Sequence, residues 1–441
     1  MASLPGPEPT RATASASLVS VVIPCFNYET YVAEAVRSAL AQDWAQLEVI
    51  AVDDGSTDGT PEILAGFGDA IRVIRRENGG LNAATDTGVA AARGEFITFL
   101  DADDTWAPGR VRALAEALIA YPRAGISYGD MTVVDEHGNV VHESFNAHKG
   151  LLPAPSGRFL GRMLSFNCVS AGSLMVRSAL RERFHPIPPF AAWNDWWIAT
   201  QVLREADVIA VPESVNIYRQ HGANMNIGGD EARAVSLLRA ELPFRRWLLA
   251  HTEPPLVTIA DLLSGLTTLD WAVSRIGAFA GEAPTDLLAN QDTMSEIALQ
   301  DGRDALCAAD VSLGISRLVA AIAYAPTWEE PRRILQQTID VIGEGPQARP
   351  ATRGRVELVP VELVLAQPSL LTTWVATHDD ASTTLVITGV ADDQARRAVL
   401  GVVDSLGLGE HPSADLLAVA EREPATIAVR LGRALDEPLA A

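Results

Sequence analysis

Between residues 18 and 104, four short aliphatic runs, "LVSVVIP", "LEVIAV", "AIRVIRR" and "EFITFL", alternate with three segments of helical periodicity. Strands separated by a helix cannot pair as a hairpin, so the chain must cross over and lay them parallel. The continuous apolar character of "LVSVVIP" suits a strand buried on both faces. This βαβαβαβ order is the strongest constraint on the fold and implies an α/β, doubly wound sheet. The intervening segments agree. "ETYVAEAVRSALAQ" sets Val32, Val36 and Leu40 on one face beside Ala35 and Ala39. "TPEILAGFG" opens with Thr60 as cap and Pro61 at the first position, and the Ala-rich "LNAATDTGVAAARG" closes at Gly94.

In such sheets ligands bind beyond the carboxyl ends of the strands. Two of those ends carry carboxylates: Asp53 and Asp54 follow "VIAV", and Asp101, Asp103 and Asp104 follow "FITFL". "VIP" ends in "CFN". Three polar strand ends thus converge on one edge of the sheet. "DADD" alone leaves two readings open. Asp side chains favour turns by bonding nearby backbone amides, and hard divalent cations take one or two carboxylates together with substrate phosphates. Asp101 and Asp103, two apart on an extended end, can face the same side.

A chain of 441 residues is expected to divide into two or three domains. The pattern gives a leader at 1–17, the α/β domain at 18–228, a helical region at 229–342, a Gly/Pro-rich linker at 343–354, and a small α/β unit at 355–441. Within the first domain "AGISYGDMTVVDEHGNVV" reads as two strands joined by the turn "DEHGN". The net charge of −22 excludes the basic face that a nucleic acid or an anionic membrane would need. Cys25, Cys168 and Cys307 show no CxxC spacing, so no disulfide framework or zinc site is expected. A cytoplasmic location follows as the expectation, with no run long enough to span a bilayer. Attachment at the membrane periphery through a partner or substrate stays open.

Taken together, "VSVVIPCFNYETYVAEAVRSALAQ", "LEVIAVDDGSTDGT", "ENGGLNAATDTGVAAARGEFITFLDADDTW", "NDWW" and "YRQHGAN" resemble the family 2 glycosyltransferases of GT-A fold. The stretches fall in the family's order over residues 18–228, about half the chain. The resemblance implies a Rossmann-like GT-A domain that moves a sugar, with inversion, from a nucleotide-diphosphate donor to a hydroxyl. UDP-sugars are the foremost donors, and the acceptor is a glycan, a lipid or a small molecule. Mn²⁺ or Mg²⁺ is the implied cofactor. Carried over by residue, Pro24, Phe26 and Asn27 lie near the nucleotide, Asp53 and Asp54 hold base and ribose, and Asn78 and Gly79 approach the donor. Asp101 and Asp103 form the metal motif, Asp101 also meeting the donor, while Asp104 braces the turn. His221 is a further metal or diphosphate contact, and Arg219 offsets phosphate charge. Gly172 and Ser173 fall near the acceptor.

Inverting transfer needs a base for the acceptor proton, and Asp195 matches the family's. Spacing alone would make Asp195 a helix cap. Trp193, Trp196 and Trp197 form either a sugar-stacking wall or core anchors. The chain departs from the family at two places. Asn194 replaces a Glu, and Thr85 and Asp86 replace Arg-Asn, removing a cation near the donor and adding an anion. Two other functions compete. A catalytically silent nucleotide-sugar-binding or assembly scaffold would not need the intact acidic motifs, although self-association through the C-terminal half is an expectation in either case. A nucleotidyltransferase would carry a basic Gly-rich loop where "VVIPCFNYETY" stands.

Overall fold

The run "VSVVIPC" becomes strand β1 (Val19–Cys25), buried at every position. This holds in a computed structural model that describes residues 17–149, 151, 154–222, 231–282, 287, 291–308, 310–344, 355–360, 383–388 and 415–418. Nearly all of the leader, most of the linker, and most of the region from 355 onward lie outside the described residues. β1 pairs in parallel with β2 (Leu47–Asp53) on one side and β4 (Phe96–Phe99) on the other, and β3 (Arg72–Arg75) continues beyond β2. The winding therefore reverses between β1 and β4, where a doubly wound sheet opens its ligand crevice.

The parallel expectation holds for only part of the sheet. Its order is β3-β2-β1-β4-β8-β6-β9-β5, with β7 beside β6. β8 (Leu174–Arg177) runs antiparallel to both β4 and β6 (Ala124–Val134), β9 (Asp207–Arg219) lies parallel to β6, and β5 (Thr105–Trp106) runs antiparallel to β9. The connections explain the change. The "DEHGN" turn sends β6 straight back as β7 (Val140–His142) rather than through a crossover helix, and β8 enters between β4 and β6.

Helices α1 (Val32–Leu40), α2 (Thr60–Ala65), α3 (Leu81–Ala91), α4 (Arg110–Ala120) and α5 (Asn194–Leu203) pack on this sheet or follow it. Val32, Ala35, Val36 and Ala39 of α1 are buried, but Leu40 is exposed. At 3.6 residues per turn Leu40 stands about 90° from the centre of that face. Thr60 is the first residue of α2, not its cap. Gly59 holds the cap position, Asp58 accepts from the Thr60 N–H, and the Thr60 hydroxyl accepts from the Tyr28 N–H.

α3 lies on β1 with no room to spare. A Cβ added at Gly88 would stand 2.2 Å from Cγ1 of Val22. Gly88→Ala is therefore expected to lower the unfolding free energy by about 1–3 kcal/mol through overpacking, read from urea denaturation. An unchanged midpoint would show that α3 can lift off β1.

The chain forms two compact units, Met1–Phe244 and Arg245–Ala441. The second contains α7 (Ile259–Ala280), α8 (Asp292–Cys307), α9 (Val311–Tyr324) and α10 (Glu329–Glu344), while α6 (Glu231–Ala250) spans the boundary in sequence. A capping box of Thr258 and Asp261 opens α7, and Asp310 caps α9. Asp310 also divides "RDALCAADVSLGISRLVAAIAYA", which alone reads as one helical pattern. Further on, β10 (Arg355–Pro360), β11 (Thr383–Thr388) and β12 (Asp415–Ala418) form a parallel ladder. Among the described residues no helix is long and apolar enough to cross a membrane.

Candidate active site

β4 ends at Phe99, and the following residues turn over the end of the sheet. The Asp104 N–H donates to the Asp101 carbonyl at 3.1 Å, closing the turn. What fixes that turn comes from β9. Asp104 Oδ2 accepts from Asn216 Nδ2 at 2.8 Å, and its Oδ1 accepts from the Arg219 N–H at 2.9 Å. Asp104 thus braces the turn, as expected, and also welds it to a strand more than a hundred residues away. Beneath it, the fully buried Arg110 stacks 4.0 Å from the centre of Trp106 and donates to Thr98 Oγ1 and the Gly172 carbonyl.

The turn crowds its charges. Burial, then Asp103 and Asp195, push the Asp101 carboxyl up to about 7. Asp104 is pushed well above the usual carboxylate range by burial and by Asp103 and Asp101, against the pull of its two donors. Like charges brought together at a partly dry site are what a divalent cation would relieve. Asp103, 7% exposed, has His221 Nε2 at 3.1 Å from its Oδ2. That is close to the spacing of neighbouring ligands on an octahedral ion with bonds of about 2.1 Å. Among the described residues, no group of three or more His, Cys, Asp or Glu is placed to hold a metal ion. The donor set fits an ion that one or two carboxylates share with a bound diphosphate.

His221 is held from behind by Tyr31, stacked at 4.8 Å between ring centroids. Arg219 is committed to the protein: it donates to the Asp103 carbonyl and to Glu34 at 2.6 Å, and lies over Tyr31. It is thus engaged where the sequence reading had it meeting phosphate.

Asp195, from a distant segment, acts electrostatically on the same turn. It lies in the first turn of α5, whose cap position is Trp193, so it is not the capping residue. Its charge adds to the rise at Asp101, which puts the two carboxylates within electrostatic range. Trp196 and Trp197 are core anchors. Their indole N–H groups donate to the Met163 and Phe184 carbonyls at 2.8 and 2.7 Å, and Trp196 meets Phe244 edge-on. Trp193 is half-buried and donates to Glu241. Ser173 is buried and bonded within its own turn.

A second cluster forms beyond β1 and β2. Their register places Cys25 opposite Asp53, and Pro24 is buried opposite Val52. Asp53 accepts from the Ser56 N–H through Oδ1; its buried Oδ2 pairs with Arg75 Nε at 3.3 Å and has no hydrogen-bond donor among the described residues. Asp54 holds the "ENGG" loop, accepting from the N–H groups of Gly79 and Gly80, with Arg76 at 3.0 Å. Asn78 is exposed and accepts from Gly80. Asn27, at φ +58°, ties to Ser56 and Thr57, and the neighbouring Phe26 ring is 43% exposed. The turn reading of "DDGSTDGT" is real here, since Gly55 adopts φ +78°. One residue the sequence reading passed over links the clusters. The Tyr28 N–H bonds Thr60 in this loop, and burial, then the nearby Asp103 and Asp101 carboxylates, hold its hydroxyl well above the usual tyrosine range. The only sequence signal was a pair of tyrosines spaced by three in "NYETY".

Residues 20–184 match the family model described as Glycosyl transferase family 2. An uncharacterized glycosyltransferase from Nostoc sp. is 28% identical over 220 residues, covering 48% of this chain and 68% of that protein. Another, from Rickettsia conorii, is 36% identical over 126 residues, 28% of this chain and only 21% of that relative. Among solved structures, S. aureus TarS 1–349 in complex with UDP-GlcNAc aligns at 17% identity and a TM-score of 0.44, covering 73% of this chain and 91% of that one.

Proposed function

We propose, for a chain that belongs through residues 20–184 to glycosyl transferase family 2, that it moves a sugar from a nucleotide-diphosphate donor to an acceptor hydroxyl with inversion. The observation that carries this reading is the convergence of the polar ends of β1, β2 and β4 on one sheet edge, with His221 3.1 Å from Asp103 and Asp195 within electrostatic range of Asp101. An isolated acidic turn needs no carboxylate delivered from another segment. A transfer site does, because leaving-group charge and acceptor proton must be handled on either side of one anomeric carbon.

Asp53 and Asp54, with Phe26 and Asn27, form the nucleoside end, and the Asn78–Gly79 loop covers it. Asp103 and His221, 3.1 Å apart, would hold Mn²⁺ or Mg²⁺ together with the donor diphosphate, with Asp101 meeting the donor beside them; the ion would supply charge neutralisation for the departing diphosphate. Asp195 takes the acceptor proton as the new C–O bond forms and the bond to the diphosphate breaks, so charge passes from carboxylate to leaving group without a free alkoxide. UDP-sugars are the first donors to try, with glycan, lipid or small-molecule hydroxyls as acceptors.

The test is a screen of UDP-, GDP- and dTDP-sugars by calorimetry and slow hydrolysis, with and without Mn²⁺. One nucleotide class should bind in the presence of Mn²⁺ and release free sugar. If none binds under either condition, the reading is wrong.

A further inference from the structure

Helix α3 carries a polar stripe on Asn82, Thr85 and Asp86, at i, i+3 and i+4, so the three side chains share one face. Each reaches a single distant segment. Asn82 Nδ2 donates to the Ala191 carbonyl at 2.6 Å, and Thr85 Oγ1 accepts from Asn194 Nδ2 at 3.0 Å. Asp86 accepts from the Ile187 N–H with both oxygens at 3.0 Å and meets His185 Nδ1 at 2.9 Å. Asn194 passes the contact on, its Oδ1 accepting from the Asp195 N–H at 2.8 Å. Both places where the chain departs from the motif pattern, Thr85–Asp86 and Asn194, are thus joined in one contact.

The same helix is also fixed through the loop that leads into it and on its other side. Its leading loop is held by Asp54 through Gly79 and Gly80. Arg76 donates to the Ala83 carbonyl and to Thr87 Oγ1 at 3.0 Å, and Gly88 sits hard on Val22. A carboxylate at position 86 is therefore spent on segment 185–187 and does not face a donor.

We infer that Asn82, Thr85 and Asp86 are positioning residues: they clamp segment 185–194 so that Asp195 stands over the Asp101–Asp103 turn, and tie its position to the loop that Asp54 anchors. None touches the reacting atoms. The inference rests on the reading of Asp195 as the base. The clamp should appear in turnover and not in donor affinity, since binding groups on β1, β2 and β4 are untouched.

The test compares Thr85→Val, which keeps the shape and removes the hydroxyl, with Thr85→Ser, which restores it, and with Asp86→Ala. Thr85→Val and Asp86→Ala should lower kcat about 10- to 100-fold, the range expected when a reacting group shifts by about 1 Å. The KM for donor and the Mn²⁺ requirement should hold, and Thr85→Ser should recover kcat. Hydrogen–deuterium exchange should show faster uptake across 185–195 in the two impaired variants only. Unchanged kcat in both, a parallel loss of donor binding, or unchanged uptake would each overturn the clamp. Should the wild-type protein turn over no donor, the transferase reading falls instead. Exchange then decides the clamp alone: faster uptake in Thr85→Val and Asp86→Ala supports it, and unchanged uptake overturns it.

Discussion

Asp195→Asn is expected to lower sugar transfer by about 10²- to 10⁴-fold, the usual worth of a positioned general base, while the donor still binds. The substitution is nearly isosteric and keeps the oxygen that accepts from the Trp196 N–H at 2.6 Å, so the start of α5 is preserved. The buried indoles of Trp196 and Trp197 hold the helix independently of that side chain. Removing the charge also relieves Asp101, whose carboxyl Asp195 helps to raise. Donor and Mn²⁺ affinity should consequently stay level or rise slightly. That split, with kcat down and Kd unharmed, separates a base from a structural carboxylate. Steady-state kinetics beside calorimetry reads it directly, and near wild-type transfer by the variant would remove Asp195 from the chemistry.

Asp103→Ala should act on the opposite parameter. If Asp103 holds the ion, its loss should weaken Mn²⁺-dependent donor binding about 100-fold or more, at or above the effect of losing a metal ligand's supporting partner. Thermal unfolding gives a second signature. A ligand at a hundred times its Kd stabilises the folded state by about 2.7 kcal/mol, so donor with Mn²⁺ should raise the wild-type Tm. The variant should show no such gain. Without ligand it should lose little, because Asp103 raises both Asp101 and Asp104 and its removal thins that crowding. A variant that binds the donor normally and still responds to Mn²⁺ would place the ion elsewhere.

How much of this was written in the sequence depends on range. β1 was legible because a strand buried on both faces reads as an unbroken apolar run, and "VSVVIPC" is one. The acidic turn was legible as a cluster because its members are neighbours in the chain. β8 was not, since four residues of "LMVR" carry no sign of the direction in which they will be laid. β9 mixes "DVIAV" with "PESVN" over thirteen residues, and neither alternation nor a continuous run marks it. Side-chain partnerships were the least legible. Asp104 with Asn216, Thr85 with Asn194, and Asn82 with Ala191 each join residues that no local pattern relates. Leu40 and Thr60 went astray by a fraction of a turn and by one position, which is the grain of pattern reading at helix ends.

The bracing of Asp104 by β9 also sets an order in time. Its donors on Asn216 and Arg219 lie 112 and 115 residues downstream. At a synthesis rate of about 5–20 residues per second, the acidic turn leaves the ribosome roughly 6 to 23 s before those partners exist. Through that interval the carboxylates are best accommodated in water, so the β4 end of the nascent domain stays open while β1, β2 and β3 can already pair. Contacts of such long sequence separation are slow to form because loop closure precedes any reward from them. The arrival of β9 is therefore the step that turns a solvated acidic loop into a braced turn, and the first unit completes its acidic edge last.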